Sequence, residues 1–274
     1  MVGELRPKIC EEKSVSDRTN TRQNSRLTNL ANRKKGLTVM VEQIGIREAV
    51  DLQPAPGAVV FDMDGLMFNT EDIYFAVGTE LLRRRGHVFT RELSDAMMGR
   101  PPQASFEIMI RWHNLSDDWQ TLARESEDLF IEMIKGRIQP MPGLLDLLDA
   151  LERAGIPKAI ATSSSRRTLQ AVLGTFELEP RFHFTLTAED VERGKPDPEI
   201  YLKAAARFGL EPERVVVLED SEAGCRAAAA AGTIAIAVPG PHSARHDFSS
   251  AYLIVSSLAD PKLYQLLRLP GPVP

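Results

Sequence analysis

The sequence predicts an α/β protein, a doubly wound parallel sheet interrupted after its first strand by a helical insertion. Short apolar strands end in polar turns, helical patterns alternate with them, and one long helical stretch separates the first strand from the rest. The first strand, Val59-Val60-Phe61, is β-branched and aromatic and runs into Asp62-Met63-Asp64-Gly65. From Glu71 to about Arg137, apolar residues recur at turn spacing through Ile73, Phe75, Ala76, Leu81 and Leu82, then through Phe106, Ile108, Met109 and Ile110. The prolines and glycine of residues 139–143 close that insertion. A helix is then predicted over 144–153, a strand at Lys158, a helix after Ser165 and a strand at Phe184. A helix over 198–208, a strand at Val215 and an alanine-rich helix stopped at Gly232 complete the series.

The 274 residues, 43% of them apolar, suffice for one sizeable core and a smaller module. A net charge of −5 argues against a nucleic-acid partner, whose phosphate backbone calls for a basic surface. No run approaches the roughly twenty apolar residues of a membrane span. With only Cys10 and Cys225, the chain has no disulfide framework or thiolate metal site, and a reducing cytoplasm is the expected compartment. Residues 1–56 are expected to be a mostly disordered extension, rich in Arg, Lys, Ser, Thr and Asn near its start. An organelle-targeting leader, or a true start at Met40, would leave the same pattern.

Chemistry is expected where strands end, because ligands of an open α/β sheet bind beyond the carboxyl ends of its strands. Asp62 and Asp64 leave the first strand together, and two such acids repel unless a cation or a shared proton relieves them. A divalent ion is the simplest remedy. Lys158-Ala159-Ile160-Ala161 runs into the hydroxyls Thr162-Ser163-Ser164-Ser165 at a helix start, a place that suits an anion such as phosphate. The third junction leads to Gly194-Lys195-Pro196-Asp197-Pro198, where prolines restrict the backbone around one basic side chain. The fourth, Val215-Val216-Val217-Leu218, ends in the acidic pair Glu219-Asp220 before Ser221. Singly, the first motif reads equally well as a tight turn, and the others read more readily as helix caps or, for Lys195, as a surface charge. Their joint order at matching junctions is harder to explain that way.

DMDGLMFNTE, ATSSS, GKPDP and LEDSEAG, in that order, resemble the four signature motifs of the haloacid dehalogenase-like hydrolase superfamily. The likeness is nearest to its phosphatase and β-phosphoglucomutase-like branch and covers residue 57 to the C-terminal region. It implies a Rossmann-like core of residues 57–70 and 139–274, with a small α-helical cap domain over 71–138. It further implies a Mg²⁺-dependent phosphomonoesterase acting on a small phosphorylated metabolite, a sugar phosphate or nucleotide-like monoester; the alternative is a phosphosugar mutase. On this resemblance Asp62 is the nucleophile that becomes an aspartyl-phosphate, and Asp64 the general acid and then base. Thr162 binds a phosphoryl oxygen, while Lys195 neutralises charge and restrains the nucleophile. Asp62, Asp220, the backbone carbonyl of Asp64 and, directly or through water, Glu219 hold Mg²⁺. Ser163 and Arg100 are the expected substrate-binding residues. The mutases carry a histidine where this chain has Tyr74, and a lysine after the second motif where it has Ser165, which favours the phosphatase.

The remaining candidates have plainer readings. The five histidines share no metal-ligand spacing, Trp112 and Trp119 read as packing residues, and Arg83-Arg84-Arg85 reads as an exposed helix end.

Overall fold

The structure, a computed structural model, describes residues 55–98 and 102–271. Most of the expected N-terminal extension, residues 1–54, and Arg100 lie outside the described residues. Six parallel strands form one sheet: β1 (Ala58–Phe61), β2 (Lys158–Ala161), β3 (Thr185–Leu186), β4 (Val215–Glu219), β5 (Ile234–Ala237) and β6 (Leu253–Ile254). Their spatial order is β3-β2-β1-β4-β5-β6. The chain winds outward from β1 in both directions, so β1 and its neighbour β4 flank the switch point where such sheets hold ligands.

Between β1 and the rest of the sheet stand α1 (Thr70–Arg83), α2 (Arg91–Met97), α3 (Pro102–His113) and α4 (Trp119–Met133). The return pairs antiparallel with the exit. Met141 N–H donates to the Met67 carbonyl at 2.8 Å, Asn69 N–H to the Gln139 carbonyl at 3.2 Å, and Gln139 N–H to the Asn69 side chain at 2.7 Å. After it come α5 (Leu144–Arg153), α6 (Arg166–Thr175), α7 (Glu199–Phe208), α8 (Glu222–Ala230) and α9 (Pro261–Leu266).

Strand alternation divides the core in two, because successive side chains point to opposite faces. Val59, Phe61, Ile160, Val216, Leu218 and Ile236 join one cluster with leucines of α5 and α6. Val60, Ala161, Val215, Val217 and Ala235 join the other with α7 and the alanines of α8, which let that helix pack close. Cys225 is a buried free thiol. Among the described residues no helix is long and apolar enough to cross a membrane.

Two surface expectations change. Trp112 is 51% exposed, so it does not pack as expected: the buried residues of α3 are Ser105 and Met109, and Trp112 lies beyond them at the helix end. In the arginine run, Arg83 and Arg84 are exposed as expected, and Arg85 is not. Arg85 is 16% exposed and bonded to Asp117 at 2.8 Å and Glu125 at 2.6 Å.

Candidate active site

Strand register brings the motifs together. Phe61 lies opposite Ile160 of β2 and Leu218 of β4, so the residues leaving these strands emerge side by side. Asp62 remains tied to the sheet through its N–H to the Leu218 carbonyl, 3.0 Å, and Thr162 through its N–H to the Leu186 carbonyl, 3.0 Å. Gly65 turns the chain away at φ +76°, and a Cβ there would stand 2.2 Å from Asp220 Oδ2. Only glycine allows the two acidic loops this approach. The Thr70 hydroxyl, at the head of α1, accepts the Gly65 N–H at 3.0 Å and fixes the turn.

Lys195 organises the centre. Its ammonium donates to Asp62 Oδ1 at 2.5 Å, Glu219 Oε1 at 2.7 Å and the Ala161 carbonyl at 3.0 Å, which uses all three of its donors. The Tyr201 ring lies 5.0 Å from the ammonium, and the Tyr201 hydroxyl donates to Glu219 Oε1 at 2.8 Å. Glu219 Oε2 accepts the Ser221 N–H at 3.1 Å and the Ser221 hydroxyl at 2.8 Å. Gly224 makes room for this carboxylate, since a Cβ there would fall 1.7 Å from Oε1. Glu219 is thus surrounded by protein donors and holds Lys195 in place.

Charge remains unbalanced. Oxygens of Asp62, Glu219 and Asp220 lie within 4.8 Å of one another, all three residues buried, with one lysine among them. Burial pushes the Asp62 carboxyl up to about 8; Lys195 opposes this, while Glu219 and Asp64 add to it. Burial likewise lifts Asp220 well above the carboxylate range, with Glu219 and Asp62 adding to the rise. Glu219 goes the other way: burial works against its charge, but Lys195, Tyr201 and Ser221 hold it below its ordinary value. The cluster therefore lacks positive charge, and its donors are all hard carboxylate oxygens. That combination fits a divalent cation such as magnesium, which takes a few protein oxygens and keeps waters and phosphate as its other ligands.

The Asp64 side chain stands apart from this group. Its Oδ2 accepts the Ser164 hydroxyl at 2.7 Å and the Thr162 hydroxyl at 3.2 Å, whereas Oδ1 is buried with no hydrogen-bond partner. Burial raises this carboxyl above its ordinary value, against the pull of those hydroxyls. A carboxyl with one oxygen fixed and the other free is suited to carrying a transferable proton.

Asp62, Asp64, Thr162, Lys195, Glu219 and Asp220 are therefore brought together, while Ser163 is not. Ser163 is exposed: Thr162 Oγ1 accepts the Ser164 N–H at 3.0 Å, and this tight turn directs Ser164 instead toward Asp64. At the start of α6, where the sequence suits an anion, two protein carboxylates are found. Glu189 accepts the Arg166 N–H at 3.1 Å, and Glu127 accepts the hydroxyls of Ser165 and Thr168. Sequence reasoning missed Ser164, Tyr201 and Glu71. Burial pushes the Glu71 carboxyl up to about 7, with repulsion from Asp64 adding to the rise. Ser164 was within reach as the next hydroxyl of the same run; Tyr201 and Glu71 carry no signal apart from the folded geometry.

A sequence model of the haloacid dehalogenase-like hydrolases matches residues 59–238. The chain is 34% identical over 179 residues to the phosphorylated carbohydrates phosphatase of Thermotoga maritima, covering 64% of this chain and 81% of that one. It is 30% identical to the fructose-1-phosphate phosphatase YqaB of Escherichia coli over 180 residues, 66% of this chain and 95% of that one. The crystal structure of CbbY from Rhodobacter sphaeroides in complex with phosphate superposes with a TM-score of 0.69 at 28% identity, covering 74% of this chain and 95% of the other.

Proposed function

The chain belongs to the haloacid dehalogenase-like hydrolases, and on that premise we propose that it is a Mg²⁺-dependent phosphomonoesterase of a small phosphorylated metabolite. The observation that carries this reading is the strand-end cluster itself, with Lys195 bonded at once to Asp62 and Glu219 beside a second, differently held aspartate.

In this reading Lys195 fixes Oδ1 of Asp62 and leaves Oδ2 to attack phosphorus, forming an aspartyl-phosphate on Asp62. Asp64, held on Oδ2 by Thr162 and Ser164, delivers the proton on Oδ1 to the departing alcohol oxygen. The same carboxylate then takes a proton from the water that hydrolyses the phosphoenzyme. Thr162 donates to a phosphoryl oxygen when the substrate turns its hydroxyl from Asp64. Asp62, Asp220 and the backbone carbonyl of Asp64 would hold Mg²⁺, with Glu219 behind them steadying Lys195. Bound there, the ion would offset the repulsion between a carboxylate and an anionic phosphoryl group.

We assign residues 57–70 and 139–274 to the catalytic core and 71–138 to a cap that excludes water and sets specificity, hinged on the paired segments at Asn69 and Gln139. The free thiol of Cys225 suits a reducing compartment such as the cytoplasm. Water is the acceptor, in keeping with the relatives named as phosphatases. Incubation of the purified chain with Mg²⁺ and a panel of sugar, polyol and nucleoside monophosphates tests this. Free phosphate in stoichiometry with released alcohol is expected. Isomerised sugar phosphate, formed with a bisphosphate primer and little free phosphate, would make it a mutase.

A further inference from the structure

We propose that the leaving group is a neutral, hydroxyl-rich alcohol, and that Glu71 and Glu127 of the helical insertion discriminate against substrates carrying a second anion. This deepens the phosphatase reading and rests on it.

The first observation lies on the Thr162 side. Ser165 follows directly on Ser164, whose hydroxyl sits 2.7 Å from Asp64, and it is the residue that caps α6. A ten-residue helix ending so near the reaction centre would ordinarily attract a substrate anion. Here the place is filled from within. Glu127 reaches over from α4, its Oε1 accepting the hydroxyls of Ser165 and Thr168 and its Oε2 facing Arg167 Nη1 at 3.1 Å. Arg167 is shared further with Asp128 at 2.6 Å, and Glu189 covers the Arg166 N–H. The donors that would bind a second phosphate or a carboxylate at this pole already serve protein carboxylates.

The second observation lies on the Asp220 side. A cavity of about 200 Å³ opens there between α1 and the loop after β5, lined among others by Gly65, Asn69, Glu71, Asp72, Asp220 and His242. Three of these are acids. Among the described lining residues His242 is the sole basic group, and Asp72 already meets its Nε2 at 2.9 Å. A substrate anion entering this cavity would face Glu71, Asp72 and Asp220 at once, with no free basic group among the described lining residues to offset them. A sugar or polyol hydroxyl meets no such penalty and can donate to a carboxylate oxygen. The insertion thus sets carboxylates on both sides of the centre.

Matched substrate pairs test this on the full-length protein with Mg²⁺: glycerol 3-phosphate against 3-phosphoglycerate, and fructose 1-phosphate against fructose 1,6-bisphosphate. Like-charge juxtaposition in a recognition site is strongly unfavourable, so kcat/KM should favour the neutral member of each pair by about tenfold or more. Glu71→Gln and Glu127→Gln should each narrow that ratio severalfold. Wild-type turnover of the anionic members on a par with the neutral ones would overturn the proposal, with no variant required. Binding of the same pairs to Asp62→Asn by titration calorimetry reads the discrimination independently of turnover. If no substrate released phosphate, the phosphatase reading would fail, and the binding ratio would still decide this proposal: tighter binding of the neutral members supports it, and equal binding refutes it.

Discussion

Charge is handled in opposite ways at the strand ends and on the helical insertion. At the strand ends Asp62, Lys195, Glu219 and Asp220 are at most 8% exposed, and Lys195 and Glu219 are each held by at least three hydrogen bonds. On α1 the Arg83 side chain is 70% exposed and Arg84 45% exposed, both paired with Glu80. Water can replace a partner on the insertion and cannot do so at the strand ends. Mutations should therefore act very unequally in the two regions, since a buried charge without its partner is far more unfavourable than a broken surface pair.

The largest effect is expected from Asp62→Asn. Removing the attacking group should lower kcat by roughly 10⁴-fold or more, and acid quenching should trap no phosphoprotein. Appreciable turnover by the purified variant would dismiss Asp62 as nucleophile. Lys195→Met comes next: it leaves Asp62 and Glu219 facing each other without their shared cation. A loss of about 3–5 kcal/mol in urea unfolding is expected. A loss below about 1 kcal/mol would show that the cluster relaxes by taking up protons.

The pH dependence sets the strand-end aspartates apart from Glu152 by sign. Asp62 is raised from 3.8 to about 8, and Asp64 and Asp220 move in the same direction. Their raised values favour the folded state at low pH, a contribution lost as pH rises through the folded values. Glu152, at the edge of the fold, is opposite: hydrogen bonding from Arg181 first, against burial and with help from Lys158, holds it at about 2. Its contribution is complete above its ordinary value of 4.5 and is lost only as pH falls toward 2. Between pH 5 and 8 the Glu152 contribution is flat, so the metal-free protein should lose thermal stability as pH rises. Mg²⁺ should restore more at pH 8 than at pH 5, in melts with the ion or with EDTA. An equal Mg²⁺ effect at both pH values would mean that the strand-end carboxylates are not what the ion relieves.

The contrast also explains what could be read from the sequence. The strands, their alternation with helices and the four junction motifs were legible because a buried parallel strand writes a local apolar run, and its end writes a polar turn. Asp62, Asp64, Thr162, Lys195 and Asp220 each sit one to three residues beyond such a run or within such a turn. Tyr201 was not legible: it lies on the buried face of α7, and its role depends on the α7 position placing its hydroxyl on Glu219. Nor was Glu127, whose partners Ser165 and Thr168 are some forty residues away in the chain. The exposure of Ser163 has the same origin. Which hydroxyl of a four-residue run faces inward depends on one turn, closed by the bond between Ser164 N–H and Thr162 Oγ1.

The smallest effects sharpen the comparison within the insertion itself. Arg85 and Arg83 are two residues apart on one helix end, yet Arg85 bridges Asp117 and Glu125 with its side chain largely covered, while Arg83 is 70% exposed and meets one glutamate. Arg85→Ala removes a link that joins the end of α1 to α4 and should lower stability by about 1 kcal/mol. Arg83→Ala should leave the melting temperature unchanged within error, because water and Arg84 both remain available to Glu80. Equal losses in the two variants would mean that helix propensity rather than ion pairing sets stability at this helix end, since the two substitutions change propensity alike.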